Sequence, residues 1–151
     1  MHRQLMQMAG VMLLLMVAVS ACYGQHGQPR EKLEIGDHSW IGEDVWIDNL
    51  DQVSIGDHCC ISQGAYLCTG SHRWDLDTFD LQTGPIVIAD RCWVGAMTKI
   101  APNARMAEGA VATMDSVVIG ALPAWTVCSG NPAQPRKARR RAKTDIPQGA
   151  D

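Results

Sequence analysis

The sequence predicts an all-β fold: a parallel β-helix of hexapeptide repeats with about four triangular coils, one long protruding loop and a short C-terminal extension. Three observations support this prediction. Apolar and small residues recur with a period of six between Leu33 and Val118. Gly, Asp, Asn and His collect in the gaps between them, as in the words IGDH and IGED. Only 5% of the residues are aromatic, which suits a narrow interior filled by Ile, Val and Ala.

The repeat places an apolar residue at every sixth position, with a small or aliphatic residue two positions before it. Residues i and i−2 of a strand point the same way, so both are expected to face the interior. The apolar residues fall into groups of three, as expected if three hexads form one coil. They are Ile35, Ile41, Ile47, then Ile55, Ile61, Leu67, then Ile88, Val94, Ile100, then Met106, Ala112 and Val118.

Two interruptions break this period. The first is a slip of two residues between Ile47 and Ile55, at Asp48–Asp51. The second separates Leu67 from Ile88 by 21 residues where six would continue the repeat, so about fifteen residues leave the coil. A loop of this length in a small domain is usually functional or disordered. We therefore expect function to lie at the interruptions.

Composition predicts a single domain with a basic end. The chain has 151 residues and a formal net charge of −3, which gives no sign of a nucleic-acid partner. Basic residues concentrate in residues 136–151, which we interpret as a tail after a repeat domain at 33–135. The six cysteines form no Cys-x-x-Cys pair, so we interpret them as small, reduced apolar residues.

Residues 1–32 do not follow the repeat and allow two interpretations. Arg3, the apolar run Ala9–Val19 and the word Val19-Ser20-Ala21-Cys22 are typical of a lipoprotein export signal that is processed at Cys22. The repeat, however, begins in phase at Leu33 without a capping element, which solenoids need. The segment could therefore be aberrant and replace a first coil, through an altered start or reading frame.

His72 stands where the chain leaves the coil to enter the long loop. A histidine titrates near neutral pH and suits general-base work. Alone, an exposed loop histidine is weak support for catalysis. His38 and His58 lie in IGDH turns and are interpreted as turn residues.

Three segments carry a specific resemblance. Residues 53–72 read VSIGDHCCISQGAYLCTGSH, residues 85–118 begin PIVIADRCWVG, and residues 122–137 read LPAWTVCSGNPAQPRK. Together they resemble the hexapeptide-repeat O-acetyltransferases, of the colanic acid biosynthesis type within the maltose, galactoside and nodulation acetyltransferase group. The resemblance covers residues 33–137. It implies a left-handed β-helix that transfers acetyl from acetyl-CoA to a sugar hydroxyl in exopolysaccharide biosynthesis.

The resemblance also implies roles for single residues. His72 would be the catalytic base, and Asn49 with Asp48 and Asp51 would bind the acceptor, although Asn and Asp are also ordinary turn residues. Met114 stands where the family commonly has Ala, and Ile119-Gly120 stands where it has Thr-Lys. The residues implied in binding acetyl-CoA are Ala96, Met114, Ile119, Gly120, Lys137 and Arg136. Residues 139–143 would be tail, with anionic lipid as an alternative partner.

The family further implies a homotrimer with active sites between prisms, where Trp93 and Trp125 could line the interface. No metal is expected: a γ-type carbonic anhydrase needs histidine ligands after His72, and the chain has none there. Because the donor is acetyl-CoA, we expect the cytoplasm, near the inner membrane. The remaining alternative is an N-terminally truncated, inactive β-helix that serves as a scaffold or binding module.

Overall fold

The computed structural model describes residues 32–140, and over that range the chain forms strands and turns without a helix. The strands are short, as the hexads require, because each side of a coil allows only two or three extended residues before a turn. Strands β1–β17 are Leu33–Ile35, Trp40–Ile41, Trp46–Asp48, Val53–Ile55, Cys60–Ile61, Tyr66–Cys68, Gly70–His72, Leu81–Thr83, Ile86–Ile88, Trp93–Val94, Lys99–Ile100, Arg105–Met106, Val111–Ala112, Val117–Val118, Ala121–Leu122, Thr126–Ser129 and Gln134–Ala138.

Three parallel sheets form the faces of a prism. The first face has the order β1-β4-β9-β12-β15, and the third face has the order β3-β6-β11-β14. The second face has the order β2-β5-β10-β13-β16, with β17 added antiparallel to β16 at its edge. Successive strands of the chain move from face to face, so three strands complete one coil. The fold is thus the predicted β-solenoid.

Strand register confirms the grouping of the hexads. On the first face Ile35 pairs with Ile55, Ile55 with Ile88, and Ile88 with Met106. The other two faces repeat this, for example Ile41 with Ile61 and Ile47 with Leu67. Four full coils are present, as expected. The predicted C-terminal extension is the start of a fifth coil, formed by β15 and β16.

The core is the column of inward residues that the hexads predicted. All inward positions of the second to fourth coils are buried, including the polar Thr98 and Ser116. The buried hydroxyl of Thr98 donates a hydrogen bond to the carbonyl oxygen of Thr113 at 3.0 Å. The first coil is different: Ile35 is 39% exposed, whereas its partner Ile55 is 3% exposed. Among the described residues, nothing packs beneath that first coil.

The turns between faces stack into three corners, which position everything that follows. The first corner joins the first face to the second, the second corner joins the second face to the third, and the third corner returns to the first face. Backbone of positive φ recurs at these corners, for instance at His38, His58 and Arg91 of the first corner. Asp side chains hold the first corner together, since Asp57 Oδ1 accepts from Asp37 N at 2.8 Å. His38 and His58, interpreted as turn residues, stack there with their ring centroids 5.0 Å apart.

The ordered chain extends past the boundary expected at residue 135. Gln134–Ala138 forms β17, with Lys137 opposite Val127. Arg139 then donates from Nη1 to the carbonyl oxygens of Arg91, at 2.6 Å, and Gly109, at 3.1 Å. The interpretation of residues 136–139 as tail is therefore corrected, because strand pairing and these hydrogen bonds attach them to the prism.

Outside the described residues lie the expected export signal with Cys22 and the rest of the expected tail, residues 141–151. Within residues 32–140 no helix has the length and apolar character needed to cross a membrane.

Candidate active site

The long interruption forms a β-hairpin that projects from the third corner. Strands β7 and β8 pair antiparallel, with Gly70 opposite Thr83 and His72 opposite Leu81. At the root, Gly84 N donates to Thr69 O at 2.9 Å, which closes the hairpin where the chain rejoins the prism. Its tip contains two successive turns, in which Leu76 N donates to Arg73 O and Phe79 N donates to Leu76 O, each at 3.0 Å.

The tip is held further by a bidentate ion pair. Arg73 Nε and Nη2 lie 2.8 and 2.7 Å from the two carboxylate oxygens of Asp75. The Arg73 guanidinium lowers the pKa of the Asp75 carboxyl, and Asp75 raises the pKa of Arg73 in return. Both groups are solvated, so the pair orients the tip more than it stabilises the fold.

His72 is the exposed last residue of β7, and its imidazole is fixed by Phe79. Nδ1 of His72 lies 2.9 Å from the carbonyl oxygen of Phe79, and the two rings stack with centroids 4.3 Å apart and planes at 8°. A carbonyl oxygen only accepts hydrogen bonds, so Nδ1 must carry the hydrogen. The neutral imidazole then has its lone pair on Nε2. This is the protonation state of a general base with an available nitrogen.

The first interruption packs against the root of the hairpin. Thr69, fully buried, donates from its hydroxyl to Asp48 O at 2.7 Å and accepts from Asp51 N at 3.0 Å. The two segments are close, since a Cβ on Gly70 would lie 2.9 Å from Leu50 Cδ1 and 3.4 Å from Asp48 Oδ2. The structure therefore brings the acceptor-binding candidates Asp48, Asn49 and Asp51 beside the hairpin that carries His72, as adjacent segments of one corner.

A polar chain runs from the third face into the same corner. The Tyr66 hydroxyl donates to Cys68 Sγ at 3.2 Å, and Cys68 Sγ lies 3.7 Å from Asp48 Oδ2. The hydrogen bond to Cys68, with partial burial and the nearby charge of Asp48, raises the pKa of Tyr66 to about 12. Tyr66 is therefore a neutral hydroxyl over the physiological range of pH.

Two donor-side candidates share the second corner. Ala96 lies in the turn of the third coil, and Met114 lies in the turn directly above it. The turns are joined by a hydrogen bond from Asp115 N to Ala96 O at 2.9 Å. Met114 is exposed, and so is Met97, the residue after Ala96. Small and flexible apolar side chains thus line this corner, which suits contact with a long, partly apolar ligand.

The other donor-side candidates lie elsewhere. Ile119 and Gly120 form the turn of the fourth coil at the third corner, above the hairpin, and both are exposed. Gly120 has a φ of +77°, in the left-handed region that glycine adopts freely.

Lys137 and Arg136 separate on strand β17. Lys137 lines an open groove of about 540 Å³ together with Val127, Ala138, Arg139 and Arg140. Arg136 lies at the irregularity of the β16–β17 pairing. Its guanidinium donates two hydrogen bonds to Ser129, from Nε to Oγ at 3.0 Å and from Nη2 to the carbonyl oxygen at 3.2 Å. Because Lys137 shares the groove with Arg139 and Arg140, it is a better candidate for binding phosphate than Arg136. Arg136 instead attaches β17 to β16 through Ser129.

Sequence reasoning missed Thr69, Tyr66 and Arg139. Thr69 had a usable signal, since it continues the inward alternation of Ala65 and Leu67 as a polar residue at the point where the chain leaves the coil. Arg139 had none, because a cation in a basic run gives no sign that it binds backbone carbonyl groups 30 and 48 residues away.

Within residues 32–140 no group of three or more His, Cys, Asp or Glu residues is placed to hold a metal ion. The cysteines of that range are all free: Cys59, Cys92 and Cys128 are buried, while Cys60 and Cys68 are partly exposed.

Comparisons with known proteins agree with this fold. No family model matches the chain. A protein of Escherichia coli strain K12 named as a colanic acid biosynthesis acetyltransferase, WcaF, is 43% identical over 102 residues, 68% of this chain and 56% of that protein. A hexapeptide-repeat acetyltransferase from Vibrio cholerae O1 biovar eltor, solved in complex with acetyl coenzyme A, matches with a TM-score of 0.70 and 28% identity, over 74% of this chain and 62% of that one. A maltose O-acetyltransferase from Clostridium difficile 630 shares the fold, with a TM-score of 0.59 and 20% identity.

The prism with its projecting hairpin defines a protein of the hexapeptide-repeat β-helix class. The chain belongs to the hexapeptide-repeat acetyltransferase family, as the resemblance predicted. It spans 56% of the length of the Escherichia coli relative.

Proposed function

We propose that this protein transfers the acetyl group of acetyl-CoA to a sugar hydroxyl during the assembly of an exopolysaccharide of the colanic acid type. The observation that carries the proposal is the hydrogen bond from His72 Nδ1 to Phe79 O, which leaves the lone pair of Nε2 available as a base at the end of β7. The names of the relatives support the donor and the substrate class, since one is named as a colanic acid biosynthesis acetyltransferase and another was solved with acetyl coenzyme A.

The chemistry needs one base and no metal. Nε2 of His72 accepts the proton of the sugar hydroxyl as its oxygen attacks the thioester carbonyl carbon. The tetrahedral adduct collapses to the sugar ester, and the carbon–sulfur bond breaks. The departing thiolate then takes the proton back from the imidazolium, which regenerates the neutral base and releases CoA as the thiol.

The acceptor sugar binds beside the hairpin root in this proposal. Asp48, Asn49 and Asp51 supply carboxylate and amide groups suited to sugar hydroxyls, and Thr69 holds their loop in place. The neutral hydroxyl of Tyr66 lies on the face that leads to this loop. A transfer assay against a panel of sugars identifies the sugar and the hydroxyl that is acetylated.

The donor binds along a different part of the prism. The pantetheine arm passes Ala96 and Met114 at the second corner, and the nucleotide phosphates meet Lys137 in the basic groove. Arg140 lines the same groove and adds a second exposed cation. Ile119 and Gly120 lie at the third corner, the same corner as the hairpin. They therefore contact only a donor that is bound at the second corner of a neighbouring copy.

The separation of these groups favours a homotrimer. His72 projects from the third corner, and Ala96 with Met114 lies at the second corner, with the third face between them. One prism cannot close the two corners on a single ligand, whereas a cyclic assembly can set the hairpin of one copy against the second corner of the next. Trp93, which is 48% exposed on the second face, is a candidate interface residue, and so is Trp125.

We propose a cytoplasmic location at the inner membrane, where acetyl-CoA is available and lipid-linked sugars are assembled. The basic residues Arg140, Arg141 and Lys143 suit a weak contact with anionic lipid, worth about 1 kcal/mol for each residue near the surface. Mass spectrometry of the mature N-terminus tests this, because lipid on Cys22 would instead establish export.

A transfer assay tests the function. Purified protein is incubated with acetyl-CoA and a panel of sugars and lipid-linked oligosaccharides, and free thiol and acetylated product are measured together. Release of thiol that depends on acceptor supports the proposal. If calorimetry detects no saturable binding of acetyl-CoA and no acceptor is acetylated, the chain is a scaffold or binding module instead.

A further inference from the structure

Phe79 has an unusual backbone for its position. Its φ is +48°, a conformation that bulky side chains adopt rarely and that glycine adopts freely. The other residues of positive φ in the described chain stand at the corners of the prism, where the coil geometry requires the turn. Phe79 stands in the hairpin tip, away from any corner. A bulky residue kept in such a conformation points to a function of that residue.

Burial does not explain the phenyl ring. Phe79 is 55% exposed, so it contributes little to a core. Its one ring contact within the described chain is with the imidazole of His72, at a centroid distance of 4.3 Å and an angle of 8°. The positive φ is what allows a single residue to present both its carbonyl oxygen and its ring to that imidazole.

The two contacts have complementary effects on His72. The carbonyl oxygen accepts from Nδ1 and so selects the tautomer with its lone pair on Nε2. The parallel ring limits rotation of the imidazole out of that plane.

We infer that Phe79 is the positioning residue of the candidate base: it fixes the tautomer and the plane of the His72 imidazole. This inference rests on the proposed function for its kinetic consequence. Its structural consequence, one dominant tautomer in the free protein, is independent of substrate.

Three substitutions test whether His72 needs the aromatic ring of Phe79 as well as its carbonyl group. Phe79→Gly removes the ring and relaxes the backbone while it keeps the carbonyl group. Phe79→Leu keeps an apolar side chain without an aromatic face, and Phe79→Tyr restores the face. Thr78→Gly is the matched control, since it adds backbone freedom at the neighbouring exposed residue and leaves the ring in place.

The readouts are kcat, KM for acetyl-CoA, the thermal midpoint and the imidazole ¹H–¹⁵N spectrum of His72. We expect Phe79→Gly and Phe79→Leu to lower kcat about tenfold with KM for acetyl-CoA unchanged. Their spectra should show mixed tautomers, whereas the wild type, Phe79→Tyr and Thr78→Gly should show hydrogen on Nδ1 and full kcat.

Two results would overturn the inference: wild-type kcat with an Nδ1–H tautomer in both Phe79→Gly and Phe79→Leu, or failure of Phe79→Tyr to restore either readout. If the thermal midpoint of Phe79→Gly falls, the comparison of Phe79→Leu with Phe79→Tyr decides. If the wild type transfers no acetyl group, the proposed function fails, and the spectra still decide whether Phe79 positions His72.

Discussion

The coils of the prism and the hairpin at its third corner organise their side chains in opposite ways. In the coils, alternation along each strand decides which side chains point inward, and stacking of coils pairs each with an equivalent residue above and below. In the hairpin, His72 is placed by one carbonyl oxygen and one aromatic ring from the same segment. The coils thus position their side chains through many equivalent contacts, and the hairpin positions the proposed base through a few specific ones.

The largest expected effect is on catalysis, in the hairpin. His72→Ala should lower kcat by about 10²–10⁴-fold, because a positioned base contributes that much to a proton transfer. Its thermal midpoint should not change, since the side chain is exposed.

The matched control is His58→Ala, which removes an exposed, stacked histidine from the first corner. It should keep wild-type turnover in the same assay. Full turnover by purified His72→Ala would show that the hairpin does not hold the base.

The second effect is on stability, in the coils. Ile55→Ala should lower the free energy of unfolding by about 2–5 kcal/mol, because it empties a position that is buried between two coils. Ile35→Ala, at the paired position of the first coil, should cost less because Ile35 is already 39% exposed. Urea denaturation measures both. Equal losses would mean that the first coil is covered as well as the second.

The third effect joins the two regions. Thr69→Val removes the hydroxyl that connects the first interruption to the hairpin root. It should cost about 0.5–1.5 kcal/mol, because the backbone N–H of Asp51 loses its acceptor while Asp48 O keeps the hydrogen bond from Thr69 N. It should also raise KM for the acceptor, since the backbone of Asp51 is no longer attached to the hairpin root. Thr98→Val removes a comparable buried hydrogen bond within the coils and should leave that KM unchanged. Steady-state kinetics of the two variants decides whether Thr69 serves the site or only the fold.

The smallest effect is a shift in titration. In a Tyr23→Phe background, phenolate absorbance should report Tyr66 with a pKa of about 12. Because the folded pKa is the higher one, the folded state keeps the proton that the unfolded state releases. Stability is therefore full below the ordinary pKa of tyrosine and falls as pH rises towards 12. Cys68→Ala should return the titration towards its ordinary range, and an unchanged pKa in that variant would exclude the hydrogen bond as the cause.

The sequence predicted the coils better than the interruptions, for a physical reason. The position of a residue within its hexad determines the direction of its side chain, so the stacking of Met106 on Ile88 follows from their spacing alone. The position of His72 at the start of the loop was also readable. Its orientation was not, because it depends on the carbonyl group of Phe79, seven residues later, and on a backbone conformation that the letter Phe does not indicate. Arg139 was misread as tail because its partners are backbone carbonyl groups of distant coils.

The central claim is that the hairpin of one copy and the second corner of the next copy together form one active site. It is tested most directly by mixing two inactive variants, His72→Ala and Ala96→Trp, through co-expression with different tags. In a cyclic trimer with random assortment, about three quarters of the assemblies are mixed, and each keeps one intact site in three, so about one quarter of wild-type activity should return. Activity no higher than that of the separate variants, in mixed assemblies isolated through both tags, would contradict the claim.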